Sequence, residues 1–162
     1  MIYSCIFIFS LVVANLLVAW LGPWFSIINA FFLIGLDLSI RDKLHESWKN
    51  NNLILKMGGL ILFSSLISYL VNPATGMIAI ASFCAFALSM IADTLVYHLL
   101  NSKSWFVKTN GSNVAGAAVD SLVFPTIAFG GLMLEIVLMQ FFAKVIGGLF
   151  WTLFLRKLND RS

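Results

Sequence analysis

Long apolar runs alternate with short breaks that are polar or contain glycine and proline. The runs predict six helices, at about residues 2–21, 24–40, 53–71, 77–100, 112–131 and 133–155. The breaks include Gly22-Pro23, the polar stretch 41–52 and the turn signal 72–76. A helix needs about 20 apolar residues to cross a hydrocarbon core about 30 Å thick. The pattern therefore predicts an all-α integral membrane protein, a bundle of six transmembrane helices that forms one domain, residues 1–162.

The composition agrees with a chain whose main solvent is lipid. Hydrophobic residues make up 60% of the 162 residues and charged residues only 10%, whereas soluble domains average about 45–50% apolar and 25% charged residues. Six spans and their connections use this whole length, so we expect no additional soluble domain.

The basic residues indicate how the helices are oriented. Nine of the ten Lys and Arg residues lie in or beside the second, fourth and last polar segments, namely Arg41, Lys43, Lys49, Lys56, Lys103, Lys108, Arg156, Lys157 and Arg161. Because cytoplasmic connections carry an excess of Lys and Arg, this alternation predicts that both termini are cytoplasmic. No basic module gathers these residues, so we expect no nucleic-acid partner.

Four charged residues lie inside the predicted spans: Asp37, Asp93, Asp120 and Lys144. Each costs about 2.5–3.5 kcal/mol at the centre of a membrane helix. A shared, hydrated interior, in which these groups pair with one another or bind a ligand, would offset that cost. The sequence therefore predicts an intramembrane polar site.

Helical spacing groups other polar and aromatic residues with these charges. Phe86, Asp93 and Tyr97 share one helical face, as do Asn113, Asp120 and Phe124, and a third face carries Gln140 and Lys144. Asn15 marks a weaker polar face on the first helix. Three simpler interpretations remain open: Asp37 pairs with Arg41 one turn later, Lys144 is only a counter-ion, and Asn15 and Gln140 only join helices.

Signals for a metal, a cofactor or an enzymatic centre are not found in the sequence. Cys5 and Cys84 lie inside apolar runs without metal-ligand spacing, and no Walker motif is present. The three aspartates lie on separate helices and form no clustered carboxylate motif. We therefore predict no catalytic residues, no cofactor and no metal.

Several segments resemble the queuosine precursor transporters, also called the vitamin uptake transporter family. They are residues 37–41 (DLSIR), 81–97 (ASFCAFALSMIADTLVY) and 112–124 (SNVAGAAVDSLVF), with weaker matches at 142–145 (FAKV) and 14–15 (AN). This resemblance implies a six-helix inner-membrane importer of 7-cyano-7-deazaguanine or 7-aminomethyl-7-deazaguanine.

The chemistry of such a ligand suggests roles for the intramembrane residues. A guanine-like ring presents adjacent N–H donors that a carboxylate accepts, and a flat face on which aromatic rings stack. As a hypothesis, Asp93 or Asp120 accepts that edge, and alternating access around the site moves the ligand. The predicted substrate-binding residues are Asn15, Asp37, Arg41, Phe86, Asp93, Tyr97, Asn113, Asp120, Phe124, Gln140 and Lys144.

Other functions remain open at this point. One is the substrate-binding subunit of an energy-coupling-factor importer, which works with separate ATPase and coupling subunits. Others are a small membrane enzyme and a structural membrane subunit. Proton coupling, facilitated diffusion and assembly into a homo-oligomer are likewise undecided by the sequence.

Overall fold

The computed structural model describes residues 2–48 and 52–159, which are almost entirely helical and contain no strand. The helices are α1 (Ile2–Leu21), α2 (Phe25–Asn29), a π-helical turn (Ala30–Ile34), α3 (Gly35–Trp48), α4 (Leu53–Val71), α5 (Gly76–Leu99), α6 (Trp105–Ala128) and α7 (Leu134–Asn159). The π-helical turn joins α2 to α3 without a break. The described residues therefore form six helical rods, as predicted.

The predicted helix ends are right where a sharp break occurs and wrong where the chain leaves the apolar run gradually. Gly22, at φ +82°, ends α1 as predicted. The second rod, however, continues to Trp48 rather than residue 40, and α7 continues to Asn159 rather than residue 155. The helix α6 begins at Trp105, seven residues before the predicted start. Hydrophobicity detects only the part of a helix that needs lipid, whereas backbone hydrogen bonds continue the helix into water.

Three of the described helices are long and apolar enough to cross a membrane by length and composition: Ile2–Leu21, Pro73–Leu99 and Leu134–Leu155. The apolar stretch Leu55–Val71 of α4 is shorter. The second rod and α6 carry polar residues in mid-helix, such as Asp37 and Asp120, which lower their mean hydropathy.

Polar side chains are buried in the bundle, and large apolar side chains cover its surface. Phe9, Leu70 and Leu99 are examples of exposed apolar residues, whereas Asn15 and Lys144 are both 2% exposed. This is the reverse of a soluble protein, in which charged residues are almost never fully buried. The chain is therefore an integral membrane helical bundle.

A close crossing joins α7 to the second rod at glycines. A Cβ on Gly147 would overlap the carbonyl oxygen of Phe31, which lies in the π-helical turn. A Cβ on Gly35 would lie 2.7 Å from the carbonyl carbon of Gly147. Small residues let membrane helices approach to backbone contact. The crossing fixes α7 against α3, and so fixes the direction in which the polar face of α7 points.

We expect Gly147→Ala to lower the free energy of unfolding by about 1–3 kcal/mol, because the added methyl group meets backbone atoms that cannot move aside cheaply. Thermal unfolding of the detergent-purified protein measures the effect. The neighbouring Gly148→Ala is the matched control, since its Cβ would meet the Leu38 side chain at 3.6 Å, an ordinary contact. Equal melting temperatures for the two variants would contradict this account of the crossing.

Candidate functional site

A cavity lies between the helices in the interior of the bundle. It is lined by residues of α1, α2, α3, α5, α6 and α7, and it contains about 700 Å³ of space free of protein atoms, part of which is open to solvent. Eight of the predicted site residues line it: Asn15, Asp37, Arg41, Phe86, Asp120, Phe124, Gln140 and Lys144. The cavity thus brings together polar side chains that are widely separated in the sequence.

Lys144 is held by three oxygen atoms. Its Nζ lies 2.5 Å from Asp120 Oδ2, and it donates hydrogen bonds to Ser121 Oγ at 3.1 Å and to Gln140 Oε1 at 3.0 Å. Gln140 in turn donates from Nε2 to Ser26 Oγ at 2.6 Å. An ammonium group has three donors, and all three of these find a partner. Asp120 and Lys144 therefore neutralise each other, and the chain of bonds joins α2, α6 and α7.

Arg41 lies in the same cavity wall but is satisfied only in part. Its Nη2 donates to Asn113 Oδ1 at 2.9 Å and lies 3.7 Å from Asp93 Oδ1. Its guanidinium carbon lies 5.9 Å from the centre of the Phe86 ring. The Nε atom is buried and has no hydrogen-bond partner among the described residues. One N–H donor of Arg41 is therefore unused.

Asp37 is only partly satisfied by hydrogen bonds. The Ser10 hydroxyl donates to its Oδ1, while Oδ2 is buried without a hydrogen-bond partner in the described structure. The side chain is only 2% exposed, and no described cation lies within 4 Å of it. The ion pair with Arg41 that the sequence left open is not formed, because Arg41 pairs with Asp93 instead.

Asn15 joins three helices. Its Nδ2 donates to Ser68 Oγ at 3.2 Å, and its Oδ1 accepts from Ser82 Oγ at 2.6 Å. On the neighbouring helix α2, Asn29 Nδ2 donates to the carbonyl oxygen of Ala14 at 3.0 Å. Since both ends of the Asn15 amide are occupied within the protein, these contacts agree with the interpretation that Asn15 joins helices.

Three predicted site residues do not line this cavity. Asp93 pairs with Arg41, with Oδ1 and Nη2 3.7 Å apart, and Asn113 lines a second cleft between α3, α6 and α7. The Tyr97 ring lies 5.1 Å from the ammonium group of Lys108. Tyr97 is therefore placed toward the connection between α5 and α6, away from the cavity in which stacking on a ligand was predicted.

The cavity also contains polar residues that the sequence did not single out as ligand-binding. Ser26 and Asn29 line it from α2, and Ser82 and Ser89 line it from α5. Ser82 and Ser89 do share the helical face of Asp93, which is a usable signal. No such signal marks Ser26 and Asn29 in the sequence. Uncharged polar residues near a helix start are common, and the π-helical turn that follows alters the regular helical spacing.

The family model described as "Putative vitamin uptake transporter" matches residues 1–157. No curated protein and no solved structure matches the chain.

We expect Lys144→Met to lower the free energy of unfolding by about 3–5 kcal/mol, because Asp120 would remain as an uncompensated charge in the interior. The double variant Lys144→Met with Asp120→Asn should lose less than the sum of the two single variants. Chemical or thermal unfolding in detergent measures this coupling.

Lys108→Met is the control, since Lys108 contacts the Tyr97 ring outside the cavity and should contribute only about 0.5–1 kcal/mol. Additive losses in the double variant would mean that the two charges do not stabilise each other.

Proposed function

The chain belongs to the vitamin uptake transporter family, as its ordered motifs indicated, and from this premise we propose that it imports a 7-deazaguanine precursor of queuosine. The substrate is 7-cyano-7-deazaguanine or its aminomethyl counterpart. The protein is a multi-pass protein of the cell inner membrane, and it moves the base by alternating access around the cavity. Its partners are this small molecule and the lipid bilayer.

The observation that carries the proposal is the presence of unsatisfied polar atoms in the cavity wall. Four buried side-chain atoms lack a hydrogen-bond partner in the described structure, and two of them, Asp37 Oδ2 and Arg41 Nε, belong to residues that line the cavity. The other two are Asp93 Oδ1 and Trp151 Nε1. Leaving a buried donor or acceptor unsatisfied costs about 1–3 kcal/mol, and more for charged groups. Such groups are retained where a ligand satisfies them. Their convergence on one cavity supports a binding site rather than helix packing alone.

The rest of the lining suits a flat heteroaromatic base. Phe86 and Phe124 contribute aromatic rings, and Leu11, Val18 and Ile34 contribute apolar surface. Small-molecule sites are typically apolar with a few placed polar groups. A planar base can stack on an aromatic ring while its polar edge meets the charged groups of α3.

The helix that carries these charges also contains the π-helical turn. The N–H of Gly35 bonds to the carbonyl oxygen of Ala30, five residues earlier. Polar lining residues lie on both sides of this turn, Ser26 and Asn29 before it and Asp37 after it. Irregular helical turns of this kind often occur at functional sites. A second rod with an irregular turn beside the cavity is consistent with a transporter whose helices rearrange around a bound ligand.

We expect 7-cyano-7-deazaguanine and 7-aminomethyl-7-deazaguanine to raise the melting temperature of the detergent-purified protein. Binding to the folded state alone stabilises it by about 2.7 kcal/mol at a ligand concentration 100 times Kd. Riboflavin serves as an unrelated vitamin control and should cause no shift. The absence of a shift with either deazaguanine, in protein shown to be folded, would contradict the proposed substrate.

Reconstitution separates the proposed transporter from the alternatives. Proteoliposomes that contain only this chain should accumulate or equilibrate the radiolabelled base, and a pH gradient shows whether protons are coupled. Uptake that requires added ATPase and coupling subunits would instead favour a substrate-binding subunit. Chemical conversion of the base would favour an enzyme.

We expect alkaline phosphatase fused after Gly131, between α6 and α7, to be active in a bacterial host, and the same fusion after Lys103, between α5 and α6, to be inactive. Alkaline phosphatase folds only outside the cytoplasm, and the basic residues place the connection between α5 and α6 on the cytoplasmic side. Fluorescence of a green fluorescent protein joined to the C-terminus checks the last segment. The reverse pattern of activities would contradict cytoplasmic termini.

A further inference from the structure

We propose that Asp37 and Arg41, rather than Asp93 or Asp120, recognise the ligand. The groups that they recognise are a ring carbonyl, the adjacent ring N–H and an exocyclic amine. This assignment rests on the function proposed above and names the chemistry by which that site selects its substrate. It also replaces the hypothesis, based on helical spacing, that Asp93 or Asp120 accepts the donor edge.

The three carboxylates Asp37, Asp93 and Asp120 differ in how far they are already engaged within the protein. Asp120 is occupied by Lys144 at 2.5 Å. Asp93 pairs with Arg41 and does not line the cavity. Asp37 lines the cavity, is buried, and has a free Oδ2 and no cationic partner among the described residues. A ligand with N–H donors therefore gains most at Asp37.

Arg41, four residues after Asp37, carries an N–H donor without a hydrogen-bond partner in the described structure. Arg41 Nη2 is engaged with Asn113 and Asp93, whereas Nε has no hydrogen-bond partner in the described structure. Arg41 follows Asp37 by four residues within α3, so the two side chains lie on one helical face with their Cβ atoms about 5–6 Å apart. Two neighbouring residues of the cavity wall thus carry an N–H donor and a carboxylate oxygen that have no hydrogen-bond partner in the described structure.

The polar edge of a guanine-type ring is complementary to this donor and this carboxylate. A carboxylate accepts two adjacent N–H groups, and a guanidinium N–H needs an oxygen acceptor. A guanine-type ring presents these groups in order along one edge: a carbonyl, a ring N–H and an exocyclic amine. An adenine-type ring would place its amine against the Arg41 donor and a ring-nitrogen lone pair against the Asp37 carboxylate, which repels it.

The test exchanges acceptor for donor at Asp37. The variant Asp37→Asn keeps the shape of the side chain but replaces one acceptor oxygen by an NH₂ donor, which matches a ring carbonyl in place of the exocyclic amine. We compare the affinities of 7-deazaguanine and 7-deazaxanthine by calorimetry with the purified protein. The wild-type protein should prefer 7-deazaguanine by about 10- to 100-fold, the discrimination that one bidentate edge provides. The variant should reverse the preference.

Asp120→Asn is the matched control, since its carboxylate lies in the same cavity but is held by Lys144. It should leave the ratio of the two affinities unchanged, whatever it does to stability. Reversal in Asp120→Asn, or an unaltered preference in Asp37→Asn, would overturn the assignment while leaving the transport function intact. Failure of the wild-type protein to bind any 7-deazaguanine would overturn the proposed function and the assignment together.

A ligand series with the wild-type protein does not depend on folding of a variant. 7-Deazahypoxanthine lacks only the exocyclic amine and should bind at least about tenfold more weakly than 7-deazaguanine, because a site built for that hydrogen bond is left unpaired. 7-Deazaadenine should bind more weakly still. Equal affinity for 7-deazaguanine and 7-deazahypoxanthine would show that the site does not recognise the exocyclic amine.

Discussion

The cost of placing charge inside an apolar slab determines how this bundle is assembled. Within the bilayer no water is available to solvate a carboxylate or an ammonium group, so each must find its partner within the protein. The pair Asp120–Lys144 meets this requirement most completely, with the ammonium also bonded to Ser121 and Gln140. Because the partners come from α6 and α7, satisfying the charge and positioning the helices are the same event.

The degree to which each charge is satisfied distinguishes packing from recognition. Lys144 has a partner for every donor, as expected of a group whose role is to hold helices together. Asp37 and Arg41, which line the cavity, keep unused hydrogen-bonding capacity. Unused capacity is destabilising, so its presence at two residues of one helical face is more informative about ligand binding than the mere presence of a charge in a span.

Much of the fold, but less of the site, can be predicted from the sequence. Apolar runs are long and local, so the six rods follow from them, and helical spacing correctly places Gln140 and Lys144 on one face of the cavity. Pairing across helices is not local. The spacing of Asp37 and Arg41 suggests an ion pair, yet Arg41 pairs with Asp93 of α5. Which partner is reached depends on how each helix is rotated, and contacts such as Gly147 against Phe31 set that rotation.

The strengths of the connections between helices also indicate which parts of the bundle separate most easily. Ion pairs join α3 to α5 and α6 to α7, whereas α1 is joined to α4 and α5 by the neutral hydrogen bonds of Asn15. A neutral hydrogen bond contributes about 0.5–1.5 kcal/mol, and breaking a buried ion pair costs about 3–5 kcal/mol. The hydrogen bond from Ser10 of α1 ends on Asp37, the carboxylate assigned to the ligand. A base bound at Asp37 therefore competes with Ser10 for the same carboxylate. Ligand binding and the attachment of α1 to the rest of the bundle are linked through that one group.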